Sequence, residues 1–254
     1  MGALANRHAL VTGGGTGIGA AIAQVLSDAG AAVSLVGRRK APLDAVAAKL
    51  PKAAVIVADI TREADCAAMV TAARAAHGPI DIVIANAGMA TSAPLAKTDL
   101  ALWQETIGVN LTGAFLTVRA ALADVTQAKT NGRIVFISST AGLKGYGYVS
   151  AYCAAKHGVV GLARALSVEL GATGVTVNAV CPGFTDTPLL AAAADNIAAK
   201  TGRSEAESRA TLAKDNAHGR LITPQEVAHT VLFLCSPEAS SINGQAIAVA
   251  GGQA

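Results

Sequence analysis

Apolar and polar positions along the chain fall into two alternating patterns. Short β-branched runs recur at His8–Thr12, Val33–Gly37, Ala54–Ala58, Ile80–Ala85, Arg133–Ser138, Val175–Val180 and Ala246–Val249, and alanine-rich stretches with helical spacing separate them. This alternation predicts β-α-β crossovers, and hence a mostly parallel sheet with helices on both faces. Runs that are apolar throughout, such as Ile82-Val83-Ile84-Ala85, suit central strands buried on both sides. The expected architecture is α/β, a single doubly wound domain over residues 1–254 with a seven-stranded sheet. One segment breaks the rhythm. Thr185–Leu221 is longer and more charged, and it precedes a helix that should start near Pro224. It is expected to form a lid or substrate flap.

Composition supports a globular chain, with 52% hydrophobic and only 15% charged residues, the opposite of a disordered composition. The formal charge of +3 is spread among 17 acids, so no basic stripe suggests nucleic acid. Mean hydropathy is +0.45, yet Arg164 and Glu169 interrupt the longest apolar helical stretch. With no run of about 18 apolar residues, no membrane span is expected. The first residues, Met1 to Arg7, show no basic leader before an apolar core, so a cytoplasmic address is expected. Cys66, Cys153, Cys181 and Cys235 lie far apart with no C-x-x-C pair. They read as buried, reduced thiols rather than as a metal site.

The first strand runs at once into Gly13-Gly14-Gly15-Thr16-Gly17-Ile18-Gly19, followed by the helix Ala20–Ala29. Glycines there let backbone N–H groups approach a pyrophosphate at the positive end of a helix. The spacing is T-G-x-x-x-G-x-G, one register away from the G-x-G-x-x-G fingerprint, so the generic dinucleotide motif is not met. An NAD site would place an acid about 20 residues further on, at the end of the second strand. Here that place is Val36-Gly37-Arg38-Arg39-Lys40, with no carboxylate before Asp44. A guanidinium can hold a ribose 2′-phosphate through paired hydrogen bonds. The pattern predicts NADP(H), with Arg38 as main ligand and Arg39 assisting, and leaves NAD(H) use open.

Tyr152 and Lys156 are four residues apart in a helical pattern that runs to about Leu170. They share a helix face, so the cation could lower the phenol's pKa and make it an acid–base group. Alone, that spacing is equally that of a surface Tyr–Lys pair.

With both motifs in place, the whole chain resembles the short-chain dehydrogenase/reductase family, whose fold is Rossmann-type. Asp59-Ile60 after the third strand, Asn86-Ala87-Gly88 after the fourth, Asn110, Ser138-Ser139, and Pro182-Gly183 with Thr185 and Thr187 complete the pattern. Ala85 and Ala250 depart from it, where Asn and Asp are usual. The resemblance implies an oxidoreductase moving a hydride between a nicotinamide cofactor and a ketone or secondary alcohol. Tyr152 would exchange the proton, Lys156 would hold the nicotinamide ribose and depress the tyrosine, Ser139 would bond the developing alkoxide, and Asn110 would position a water. The implied cofactor residues are Gly13, Gly15, Thr16, Gly17, Ile18, Gly19, Arg38, Arg39, Asp59, Ile60, Asn86, Ala87, Gly88, Tyr152, Lys156, Pro182, Gly183, Thr185 and Thr187. Bland alternatives stand beside these roles: Asp59 as a cap ahead of Thr61, Asn110 as a helix-kink residue, the serines as strand-end hydroxyls.

Met89, Thr140, Tyr146, Tyr148 and Phe184 are the expected pocket residues. The segments Lys156–Gly161 and Asn178–Phe184 resemble those of acyl-thioester and polyketide ketoreductases, which implies a 3-oxoacyl thioester, CoA- or carrier-protein-linked, or a related bulky ketone. The alternatives are an NAD-linked secondary-alcohol or 3-hydroxyacyl-CoA dehydrogenase and a non-catalytic NADP(H) sensor. No metal is required. The apolar helical patterns Leu100–Ala128 and Tyr152–Ala172 suggest association, and the resemblance makes it a homotetramer.

Overall fold

A computed structural model describes residues 2–253, apart from the side chain of Lys200. Seven parallel strands form one sheet: β1 (His8–Thr12), β2 (Ala32–Gly37), β3 (Ala53–Val57), β4 (Ile82–Ala85), β5 (Arg133–Ile137), β6 (Thr176–Pro182) and β7 (Ala246–Val249). Their order is β3-β2-β1-β4-β5-β6-β7. Every pairing is parallel, so the expected architecture is met without an antiparallel strand. The helices are α1 (Gly17–Asp28), α2 (Lys40–Ala47), α3 (Glu63–His77), α4 (Leu100–Ile107), α5 (Gly113–Gln127), α6 (Ser150–Leu170), α7 (Pro188–Thr201), α8 (Glu205–Lys214) and α9 (Pro224–Cys235).

Alternation along the strands divides the core. Leu10, Val83, Ile134 and Phe136 face α3, α5 and α6, whereas Val11, Val33, Leu35, Ile84 and Val135 face α1, α2 and α9. Continuous apolar strands are therefore filled on both sides, each face with its own layer.

Several boundaries differ from expectation. Residues 80 and 81 precede β4, whose pairing with β1 begins at Ile82. The helix after the glycine loop starts at Gly17, three residues early. Leu100–Ala128 is interrupted by a π-helical turn, Gly108–Thr112. The continuous run Leu100–Gln127 is also long and apolar enough, by length and composition, to cross a membrane. Counting uninterrupted apolar residues overlooked it. In the fold, its inner face lies on the sheet through Leu116, Val118, Ala121 and Val125. Cys66, Cys181 and Cys235 are buried, but Cys153 is only partly so. The 185–221 segment forms α7 and α8 around Leu190, Ala194 and Leu212, and Arg209 bonds Asp186 at its root, at 2.6 Å.

At the amino ends of the strands, the His8 ring is buried and bridges Gly78 O and Ser34 Oγ, each at 2.9 Å. A carbonyl can only accept, so Nδ1 carries a proton, and burial favours the neutral ring, in which Nε2 accepts from the Ser34 hydroxyl. His77 stands edge-on at 5.2 Å. Burial lowers the pKa of both rings; the other charges bearing on the pair are Asp81, Asp124 and Lys52. The native state therefore binds fewer protons than the unfolded chain once pH falls below the ordinary histidine value. Stability should be complete above about pH 6.5 and decline below it. Urea unfolding at pH 7 and pH 5 should show a loss of about 1–2 kcal/mol, reduced in His8→Gln.

Candidate active site

The carboxyl ends of β1, β4, β5 and β6 converge where the sheet order reverses between β1 and β4. This is the crevice in which open α/β sheets hold ligands. Gly13 has φ +66°, and a side chain on Gly19 would put its Cβ 2.2 Å from the Gly13 carbonyl and 2.5 Å from Asn86 Nδ2. Only glycine permits that approach. Thr16 precedes α1 with no side-chain cap, and the first turn holds no acid. The leading amides thus remain available to an anion, so the loop fits a dinucleotide pyrophosphate. Gly17, with φ +53°, faces Thr187, which joins the glycine loop to the root of α7.

The expected cofactor residues divide by what they offer. Gly15, Thr16, Gly17 and Ile18 line the loop, and Arg38 and Arg39 are exposed at the end of β2. Asp59 Oδ1 accepts from Thr61 N and Oγ1 at 3.0 and 2.8 Å. Those bonds depress its pKa, with a smaller contribution from Arg38. Asp59 closes a local turn on Thr61 and is not a helix cap, since α3 starts at Glu63 behind Arg62; Arg38 and Asp59 share one end of the crevice. The Ile60 side chain is buried against Gly113, so it offers a ligand only its main chain. Asn86 also points inward, donating to Thr12 O at 2.8 Å and Gly13 O at 3.4 Å. It braces the loop. Ala87 packs against the core and Pro182 is buried at the end of β6. Thr185 donates to Gly183 O at 3.0 Å, and Thr187 caps α7 by accepting from Leu190 N.

Ser139, Tyr152, Lys156 and Asn110 gather beside Gly88. A Cβ on Gly88 would lie 2.8 Å from Asn110 Oδ1 and 3.6 Å from Lys156 Nζ. Lys156 is only 4% exposed and donates to the Ile137 carbonyl at 2.8 Å. Its ammonium stands 5.6 Å from the centre of the Tyr152 ring. Burial lowers Lys156 to about 8 and raises Tyr152 to about 12, against a lowering by the Ser139 hydroxyl. The expectation is that Lys156, helped by an oxidised nicotinamide, depresses the tyrosine; in the protein by itself the lysine does not do so, because the ammonium sits by the ring and is tied to a carbonyl. Asn110 is 1% exposed. Its Oδ1 accepts from Met89 N, and its Nδ2 donates to Met89 O and Thr106 O. Both amide hydrogens are thus engaged, and the side chain is locked across the π-helical turn. Ser139 Oγ accepts from Ala141 N at 3.1 Å and keeps its proton for another partner. Ser138 donates to Lys156 O at 3.0 Å and is structural.

Among the pocket residues, Tyr146 donates to Thr140 Oγ1 at 2.8 Å and meets Phe184 edge-on at 6.2 Å. Met89 lies across Gly88 through its bonds to Asn110. Tyr148 departs from expectation: it is 71% exposed, at φ +66°, and lines a shallow cleft with Thr91, Ala93 and Leu102. Two wall residues escaped the sequence reading. Asn216, fully buried, bonds Phe184 N and O, and Gln253 reaches Gly183 from the chain end. Neither belongs to a local motif.

A family model described as short chain dehydrogenase matches residues 7–198. The chain belongs to that family. The chain is 41% identical to the cis-4-hydroxycyclohexanecarboxylate dehydrogenase of Sinomonas cyclohexanicum, over 98% of this chain and 97% of that one. It is 38% identical to the granaticin polyketide synthase putative ketoacyl reductase 1 of Streptomyces violaceoruber, over 99% and 94%. A crystal structure of a variant actinorhodin polyketide ketoreductase with NADPH superposes with TM-score 0.93 and 35% identity, covering 97% of each chain. This short-chain dehydrogenase is an oxidoreductase acting on a ketone or alcohol with a nicotinamide dinucleotide.

The buried cation has a measurable consequence. A lysine whose folded pKa is lowered contributes stability that grows as pH rises from about 8 towards its unfolded value, and at neutral pH its charge opposes folding. Lys156→Met should therefore raise the thermal midpoint, by up to about 2 kcal/mol in unfolding free energy, while removing turnover. Calorimetric melting beside an activity assay checks both halves.

Proposed function

We propose that the chain is an NADP(H)-dependent ketoreductase, reducing a 3-oxoacyl thioester or a related bulky ketone. The observation that carries the cofactor preference is the charge at the end of β2. Arg38 and Arg39 are exposed and, among the described residues, make no ion pair within 4 Å. The nearest following acid, Asp44, is held by Lys40 at 2.8 Å. A 2′-phosphate would meet two guanidiniums there, while a bare 2′-hydroxyl would find no free carboxylate on that turn.

When bound, the reduced nicotinamide supplies the hydride. Tyr152, kept protonated by burial, gives its proton to the ketone oxygen. The Ser139 hydroxyl donates to the same developing alkoxide. Lys156 Nζ and the Asn110 side chain both border Gly88, and it is from this flank that the phenol would regain its proton. The opposite direction needs the phenolate, so alcohol oxidation should rise with pH while reduction stays flat near neutrality.

The ketoacyl reductase relative supports reduction of a ketoacyl group, and the hydroxycyclohexanecarboxylate dehydrogenase supports the alcohol half of a second reading, an NAD-linked oxidation of a secondary alcohol. Association as a homotetramer is supported by apolar side chains left outside, among them Trp103, Phe115 and Val168.

Calorimetric titration with NADPH and NADH separates the two cofactor readings. NADPH should bind at least tenfold more tightly, about 1.4 kcal/mol, and Arg38→Asp should erase the difference. Equal or tighter NADH binding would overturn the NADP assignment. Tyr152→Phe should lower kcat by a thousandfold or more, on the order expected for a lost acid–base group, while cofactor affinity is retained. Substantial residual turnover would refute the proton role.

A further inference from the structure

Gln253 comes up beside Gly183, at the carboxyl end of β6, and beside Thr140, next to Ser139. Gln253 arrives after β7 through Gly251 and Gly252, both at positive φ, and its amide nitrogen donates to Ala250 O. The tail is held on two sides. His218, below α8, donates its N–H to Gly251 O at 3.2 Å, and Lys144 Nζ donates to Gln253 O. A Cβ on Gly183 would lie 3.0 Å from Gln253 Oε1. The side chain thus stands between the carboxyl end of β6 and the turn that follows Ser139.

A directed chain of hydrogen bonds sets its amide. Tyr146 donates to Thr140 Oγ1 at 2.8 Å, and Thr140, immediately after Ser139, is 3.5 Å from Gln253 Oε1. An amide oxygen can only accept, so the protons run from Tyr146 to Thr140 to Gln253. The two hydrogens on Gln253 Nε2 are left over: among the described residues they make no hydrogen bond, and the half-buried side chain leaves them open to an incoming acceptor. The Lys144 ammonium lies on the same patch, 5.5 Å from the centre of the Tyr146 ring. No acid lies within ion-pair distance of it among the described residues. Asp215 is near enough for its charge to reach Tyr146, but it is exposed.

Spare amide hydrogens beside a cation form a corner that binds an anionic acceptor. We propose that Gln253, with Lys144 beside it, determines substrate specificity by holding a carboxylate on the ketone substrate, remote from the carbonyl that is reduced. The inference rests on the ketone-reduction reading above and narrows it to keto acids. A pocket arranged to bond a polar group discriminates strongly against an analogue that lacks it, because its own polar groups are then left unpaired.

The test compares 4-oxocyclohexanecarboxylate with cyclohexanone as substrates under saturating NADPH, in wild type, Gln253→Leu and Lys144→Met. The ratio of kcat/KM for the acid over the neutral ketone should fall at least tenfold in each variant, carried by KM. Thermal melting of each variant accompanies the kinetics. In parallel, cyclohexanecarboxylate, which has no carbonyl to reduce, is titrated calorimetrically into the NADPH-saturated protein. It should bind wild type and bind Gln253→Leu at least tenfold more weakly. An unchanged ratio in a folded variant, or no binding of cyclohexanecarboxylate to wild type, overturns the inference. Gln253-dependent binding without reduction of either ketone would instead leave the carboxylate corner standing and overturn the ketone-reduction reading.

Discussion

The Asn86 amide holds together the point from which the rest of the site is measured. It joins the ends of β4 and β1 through the Thr12 and Gly13 carbonyls, while Thr12 Oγ1 accepts from the main chain of Asn86 and Ala87. These bonds lie where the strand order reverses, so the chains leaving β1 and β4 diverge around a crevice instead of packing over it. Gly13 and Gly19 close to within a side chain's width of this knot. The start of α1 is thereby aimed into the crevice. On the other side, the same knot brings Gly88 beneath Asn110 and Lys156.

From that anchor the chemistry is assembled by elements with different tolerances. Tyr152 and Lys156 share the rigid face of α6, while Ser139 is carried by the turn leaving β5. Lys156 is buried on a carbonyl with no carboxylate partner in reach of a salt bridge among the described residues. Such a group is costly to fold around. Its retention in a dry site is the kind of stability–activity compromise that catalytic centres display. Burial also leaves the phenol protonated, which is the state that the proposed reduction requires of it.

The substrate side is built otherwise. Its wall draws on the turn after β5, the residues after β6, Asn216 at the foot of α8 and Gln253 at the chain end. Each segment is irregular, and each is held by side-chain bonds to another segment. Specificity in this fold can therefore change without disturbing the sheet, since loops placed on a rigid scaffold carry recognition. The cofactor side has less freedom, because the glycine contacts admit no Cβ.

Much of this protein was legible along the chain, for a local reason. Continuous apolar strands, the glycine run, and the Tyr152–Lys156 spacing each encode their geometry within a few residues, through strand burial, positive φ and the helical repeat. The parallel sheet and its crevice followed from them, as did the shared face of Tyr152 and Lys156 on α6. Other features depend on contacts between distant segments. Ile60 turned into the core under Gly113, Asn86 faced inward, and Tyr148 swung out to solvent because of neighbours that no local pattern names. The π-helical turn at Asn110 interrupts a helix whose apolar spacing continues through it. Lys156 four residues after Tyr152 suggested a lowered phenol pKa; in space, desolvation raises it against only the Ser139 hydroxyl. Gln253 follows the terminal glycine pair but is no part of that motif, and only the approach of this segment to Gly183 brings it to the carboxyl end of β6. Local spacing specifies elements and the groups they share, whereas burial and long-range closure decide which atoms those groups finally meet.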